Sequence, residues 1–167
     1  MPGMLLALML AATVQGPADI ASLTAASDAV VHAQVVRKSS HWGTGGGQIF
    51  TTVVLKPIAA WKGEAAAEIS VLVPGGVQGD LDQVVQGSAV FREGEEVVVF
   101  LQRRAPGVFG VSRMALGKFS VGAAKANLPK RAVRDRSGLW CVGCGADEAD
   151  DLSLDELRSR VLGSARK

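Results

Sequence analysis

Apolar positions along this chain fall mainly in short runs with the period of a strand, and take a helical spacing only near the two ends. The most telling stretch is Val90 to Gln102. A polar segment, Arg92-Glu93-Gly94-Glu95-Glu96, is followed by five consecutive apolar residues, Val97 to Leu101. The run is too short to cross a membrane and has no helical period, so it predicts a strand buried on both faces, at the centre of a sheet or small barrel. Gly94 supplies the backbone freedom for the turn before it.

Other elements follow in order. Asp19 is placed to cap a short helix in which Ile20, Leu23 and Ala26 share one face, and Ser27-Asp28 ends it. Ala29 to Val36 predicts a first strand, with Val31, Ala33 and Val35 on one face and His32, Gln34 and Val36 on the other. Arg37 to Gln48, with Gly43, Gly45, Gly46 and Gly47, reads as a hairpin loop. Gln48 to Trp61 alternates as a long second strand. Pro57 cannot donate to a ladder and marks an edge, bulge or bend. Glu68 to Val73 predicts a third strand, stopped by Pro74-Gly75-Gly76, and Val77 to Ala89 reads as a long polar loop. After the central strand, Arg103 to Gly107 forms a turn, and Val108 to Met114 and Gly117 to Val121 supply further strand. A last helix is signalled by the capping-box pair Ser153 and Glu156, flanked by Leu152 and Leu157, with Gly163 as its stop.

This pattern predicts an all-β fold: a small OB-like antiparallel barrel, with a β-sandwich as the alternative, carrying a short N-terminal helix and a C-terminal helix. The divisions are residues 1–18 as a signal peptide, 19–121 as the barrel, 122–151 as a loop-rich excursion, and 152–163 as a helix packed on the barrel. A chain of 167 residues is long enough for one domain with a proper core.

Composition refines this picture in three places. Lys and Arg number 18 against 16 Asp and Glu, a balance that gives no reason to expect a nucleic acid as partner. Met4 to Val14 is apolar except for Thr13, which is the length of a signal-peptide core and short of the roughly 20 residues of a membrane span. Gly16-Pro17-Ala18 follows with small residues suited to cleavage. Export, to a periplasm or outside the cell, is the resulting expectation, with no integral membrane span. Between Gly122 and Gly138 lie Lys125, Lys130, Arg131, Arg134 and Arg136 against Asp135 alone, and six acids follow between Asp147 and Glu156. Two such blocks neutralise each other, and the segment reads as a solvated excursion in preference to a basic binding patch.

Few residues offer chemistry. Cys141 and Cys144 are the only cysteines, spaced C-x-x-C with Gly143 and Gly145 easing a tight loop. In an exported protein they read most simply as one structural disulfide; free thiols, and a metal-binding or thiol-redox use, are the alternatives. A zinc site needs four ligands, and His32 and His41 are distant in sequence. His32 reads as an outward-facing strand residue and His41 as a loop residue. Ser40, His41 and Asp80 have no context that would make them a catalytic triad, and the two glycine clusters lack the helix of a phosphate cradle. No catalytic, cofactor or metal residues are therefore assigned. Trp42, Trp61 and Trp140 sit near predicted strand ends, where they either plug the barrel or mark a protein-binding face.

Several landmarks recur in a recognisable order: Ser27-Asp28-Ala29-Val30-Val31, Ile49-Phe50-Thr51, Lys62-Gly63, Pro74-Gly75-Gly76, Phe91 with Gly94-Glu95 and Val97 to Leu101, and Gly117-Lys118-Phe119. From Ala18 to about Val121 they resemble an uncharacterised exported bacterial β domain of myxobacterial type, sometimes found ahead of a matrixin-type metalloprotease. The strand pattern is also distantly similar to netrin-like domains, the OB-type barrel of tissue inhibitors of metalloproteinases. Those inhibitors use an N-terminal Cys to reach the target's zinc. No Cys stands near Asp19 here, so inhibition by that route is not implied. No constellation brings nucleophile, base and orienter together. The expectation is therefore an exported non-enzymatic binding or accessory module acting on another envelope or extracellular protein, the alternative being a metal-binding or thiol-redox protein using Cys141 and Cys144. The resemblance adds association with an extracellular protease.

The cysteine reading is directly testable. Protein recovered from its native compartment is expected to show an intact mass lower by two hydrogens than the reduced chain. So short a loop removes little unfolded-state entropy, so replacing both cysteines by Ser is expected to cost less than the roughly 3 kcal/mol associated with a 15-residue loop. A fully reduced pair would defeat the disulfide.

Overall fold

The computed structural model describes residues 18–64, 66–123, 125–136 and 150–166. Of the expected signal segment, residues 1–18, only Ala18 is described; residues 1–17, together with Trp140, Cys141 and Cys144, lie outside the described residues.

The chain begins with α1 (Ile20–Ala26), capped as expected: the Asp19 carboxylate accepts from the Ser22 N–H at 2.8 Å and from its hydroxyl at 2.7 Å. Strands β1 (Ala29–Trp42) and β2 (Ile49–Lys62) form a long antiparallel hairpin. There follow β3 (Ile69–Pro74), a small hairpin of β4 (Gly76–Gln78) and β5 (Leu81–Gln83), then β6 (Glu96–Ala105) and β7 (Val108–Val111). A 3-10 turn, Met114–Gly117, leads into β8 (Lys118–Val121), and β9 (Arg131–Arg134), β10 (Asp151–Ser153) and α2 (Leu154–Ala165) complete the fold.

One eight-stranded sheet runs β1-β2-β3-β7-β6-β8-β9-β10, and β6 also returns to pair with β1, so that five strands close into a ring. Residues Ala29 to Gln34 pair with Leu101 to Glu96 along this closure. The expectation of a wholly antiparallel arrangement needs one correction. Strand direction cannot alternate all the way round a ring with an odd number of members, and the mismatch falls between β3 and β7, which run parallel.

β6 explains the five-residue apolar run. Val97, Val99 and Leu101 point into the ring with Val31, Ala33 and Val35 of β1, Val53 and Leu55 of β2, and Val71 of β3. Val98 and Phe100 point outward, into a second core with Val30, Phe119, Leu23 of α1 and Leu157 and Val161 of α2. All five residues of the run are fully buried. Both helices therefore cover the outside of the ring, across the β1–β6 seam.

Other boundaries move for identifiable reasons. β1 runs six residues past its predicted end, because the register with β2 continues from Arg37↔Val54 to Trp42↔Ile49 and the polar residues there face water. The register slips where Ala33 opposes Pro57 and Ile58 is left over, so the proline does mark a bulge. The supposed loop after Gly76 contains the β4–β5 hairpin. The 122–151 excursion holds β9, which extends the sheet from β8 and pairs with β10. Its basic residues are engaged: Arg134 is buried, donating to the Ala18 carbonyl at 2.8 Å with its guanidinium 4.8 Å from the Phe119 ring, and Arg131 pairs with Asp151 at 2.7 Å. Helix α2 starts two residues later than expected, with Ser153 as the cap, accepting from the Glu156 N–H at 3.2 Å; the Glu156 carboxylate turns to Arg160 and leaves the box half-made. It also passes through Gly163 to Ala165. No helix among the described residues is long and apolar enough to cross a membrane.

Because Leu157 is fully buried in the outer core, Leu157→Ala is expected to lower the unfolding free energy by about 2–5 kcal/mol in urea melts. A loss within the range of a surface substitution, about 0.5 kcal/mol, would mean that α2 is not docked as described.

Candidate functional site at the strapped end of the ring

After β5 the chain crosses one end of the ring as a strap, residues 84–91, before entering β6. Ala89 and Phe91 drop into the inner core and stopper it. The strap is fastened by one of its own hydroxyls and by its own carbonyls. Ser88 Oγ donates to the Pro74 carbonyl at 2.7 Å, Lys38 Nζ to that of Phe91 at 3.2 Å, and Lys118 Nζ to that of Val90 at 2.6 Å. Gly87 accepts from the Ala115 N–H at 2.9 Å.

Lys118 is the principal fastener. It is only 2% exposed. A buried ammonium is costly unless paired and hydrogen-bonded. Here Glu95 lies 2.8 Å from it, Ser120 lends a hydroxyl, and the Phe91 ring sits 5.0 Å away. Burial pushes the Glu95 carboxyl up, but the hydrogen bonds from Lys118, Ser120 and the Arg92 N–H, together with the lysine charge, outweigh it and hold the group below its ordinary range.

The β4–β5 hairpin is fixed at the same end. Ile49 donates to the Gln83 side chain at 2.6 Å and accepts from the Gly75 N–H at 2.8 Å. Gly76 has a positive φ of 139° and lies so close to Ser40 and Thr51 that a Cβ would collide with both hydroxyls. Only glycine fits there. Two clefts flank the strap. One, of about 220 Å³, is bounded by Lys38, Thr51, Gln83 and Val85. The other, of about 360 Å³, opens beside β3 and is bounded by Phe50, Leu72, Val111 and Met114. Around them four aliphatic side chains stand in solvent: Val77, Leu81, Val90, and Val84 at 77% exposure. Braced, exposed apolar surface beside preformed clefts is the kind of surface that binds other molecules.

The residues singled out in the sequence separate. Trp42 is 45% exposed at the far end of β1 and pairs with Ile49, so it belongs to the strapped end. Trp61 is 6% exposed. The register skips it, which turns its indole into the outer core, 5.9 Å from the His32 ring. It is part of the packing and no part of an exposed face with Trp42. His32 does point out of the ring, but under a second layer: its Nε2 lies 2.6 Å from Glu96, whose carboxylate also accepts from Lys130 at 2.8 Å. Burial pushes the Glu96 carboxyl up; the hydrogen bonds and charges of Lys130 and His32 pull it further down, to a net lowering. Ser40 bonds Thr51 while His41 bonds Thr52, on opposite faces of β1, so those two residues do not converge. Among the described residues no three His, Cys, Asp or Glu side chains gather to hold a metal ion. Comparison with protein-family models and with curated proteins returned no match.

Two glutamates with depressed pKa values fix the sign of the acid response. They stabilise the fold above the ordinary glutamate range, about 4.3, and that contribution is lost as pH falls below it. Urea melts from pH 7 to pH 3 are expected to show this loss. Glu95→Gln is expected to be less stable at pH 7 and to lose less on acidification; an unchanged slope would remove Glu95 from the account.

Proposed function

We propose that this chain is an exported, non-enzymatic binding module that acts on another envelope or extracellular protein, a secreted protease being the partner class that the sequence resemblance favours. On this reading the five-strand ring is an OB-type barrel of the netrin-like kind, five-stranded and partly open, and the strapped end is its working face. The long first strand shared between two neighbours and the single parallel pair support the barrel assignment. The observation that carries the functional reading is a set of exposed aliphatic residues, Val77 and Leu81 on the β4–β5 hairpin and Val84 and Val90 on the strap, whose backbone Lys38 and Lys118 hold at Phe91 and Val90 and whose own Ser88 side chain ties it to Pro74. A braced surface loses little conformational entropy on binding, so apolar burial there converts more fully into affinity.

The test is a comparative capture from envelope and culture-fluid extracts. The wild-type chain is expected to retain a partner that a Leu81→Asp/Val84→Asp double variant loses, while Leu128→Asp, at an exposed leucine outside the strap and the β4–β5 hairpin, keeps it. Identical partner sets for all three proteins would sink the assignment of this face.

A further inference from the structure

The cut expected after Ala18 meets an obstacle in the fold. Ala18 is only 5% exposed and belongs to the outer core, together with Ile20 and Leu23 of α1, Phe119 of β8 and Val161 of α2. Its carbonyl accepts from Arg134 Nη1 at 2.8 Å, across 116 positions of sequence. Arg134 is buried in turn, on β9. A buried guanidinium is costly to strip of an acceptor. Ala18 therefore does two jobs at once: its methyl fills the core, and its carbonyl ties the start of α1 to a strand from the far half of the chain.

Cleavage after Ala18 would remove both. It would also create an α-ammonium on the Asp19 nitrogen. That nitrogen is bonded to the carbonyl carbon whose oxygen Arg134 holds, so two cations would meet at the edge of the core. Asp19 also opens α1: its carboxylate caps the helix, and its carbonyl accepts from the Leu23 N–H at 3.0 Å. A cation at a helix start opposes the open N–H groups of the first turn.

The sequence holds a second run of small residues further upstream. Ala11-Ala12-Thr13 directly follows the seven apolar residues Met4 to Leu10, and about 7–15 such residues suffice for a signal-peptide core. A cut at this run, or after Gly16, leaves Ala18 in the chain with at least one residue ahead of it.

We infer that export processing spares Ala18: a signal peptidase hydrolyses one peptide bond between Ala11 and Pro17, and the mature chain keeps Ala18 as the first buried residue of the domain. Water supplies the hydroxyl of the new carboxyl group and the proton of the new amine. The inference rests on the export reading above and moves its processing site upstream.

The full chain, expressed with its own leader and recovered from envelope and culture-fluid fractions, is read by intact mass and N-terminal sequencing. It is expected to begin between Ala12 and Pro17. Exported protein beginning at Asp19 overturns the inference while export stands, and an exported chain with its leader uncut overturns it too. Protein found only inside the cell, with Met4 to Val14 attached, defeats the export reading and the inference with it. A second measurement reads Ala18 itself, by comparing chains that begin at Gln15 and at Asp19. The Asp19 start is expected to raise the equilibrium constant for unfolding in urea roughly tenfold or more, the scale of a hydrogen bond to a charged group. Amide exchange is expected to quicken in α1 and β9 together. Equal stability and equal exchange would show that the fold does not need Ala18, and would overturn the inference from the structural side.

Discussion

Five strands that close on one another cannot all run antiparallel to their neighbours. In this chain the unavoidable parallel contact is placed between β3 and β7, and it is kept to two residue pairs. Much of the molecule's character follows from that placement. The strands separate beyond the short contact, the ring needs a stopper at that end, and the strap of residues 84–91 provides one. The groove next to it is the geometric remainder of a closure that cannot be perfect.

The stopper is held by charge as well as by apolar burial. Lys118 and Lys38 grip main-chain carbonyls, which hold the strap's path whatever side chains it displays outward. Val84 and Val90 can therefore remain in solvent while Ala89 and Phe91 fill the ring. Glu95 compensates the buried ammonium and lies just before β6, so the same turn that starts the central strand also locks the strap.

Much of the architecture was legible in local pattern. The run Val97 to Leu101 announced a strand with two buried faces because both of its faces meet apolar partners. Asp19 and Ser153 announced helix starts because capping is a matter of three or four residues. Pro57 announced a bulge because the missing N–H is intrinsic. The rest depends on distant partners. β9 has only four residues, two of them arginines, and reads as a charged loop until Phe119 and Asp150 are seen around Arg134. His32 gave no sign of its carboxylate, since Glu96 is 64 positions away and Lys130 another 34. Trp61 looked like a surface candidate because a register slip is invisible in composition. Of the proposed binding face, the glycines of Pro74-Gly75-Gly76 and the isolated Val84 and Leu81 were visible only as turn and loop. Their exposure together is a property of the strap's path.

The ring also dictates an order of events. Its seam joins Ala29–Gln34 to Glu96–Leu101, so closure waits until the chain has been made, or delivered, as far as Leu101. A β1–β2 hairpin formed before then would stand without its lid, with Val31, Val35, Val53 and Leu55 aligned on one bare face and a long strand edge unpaired. Such an intermediate is the sort that pairs with copies of itself. For this fold the hazard lies in the interval between the hairpin and the seam, and a cell that makes the protein in quantity must keep that interval short or the hairpin escorted.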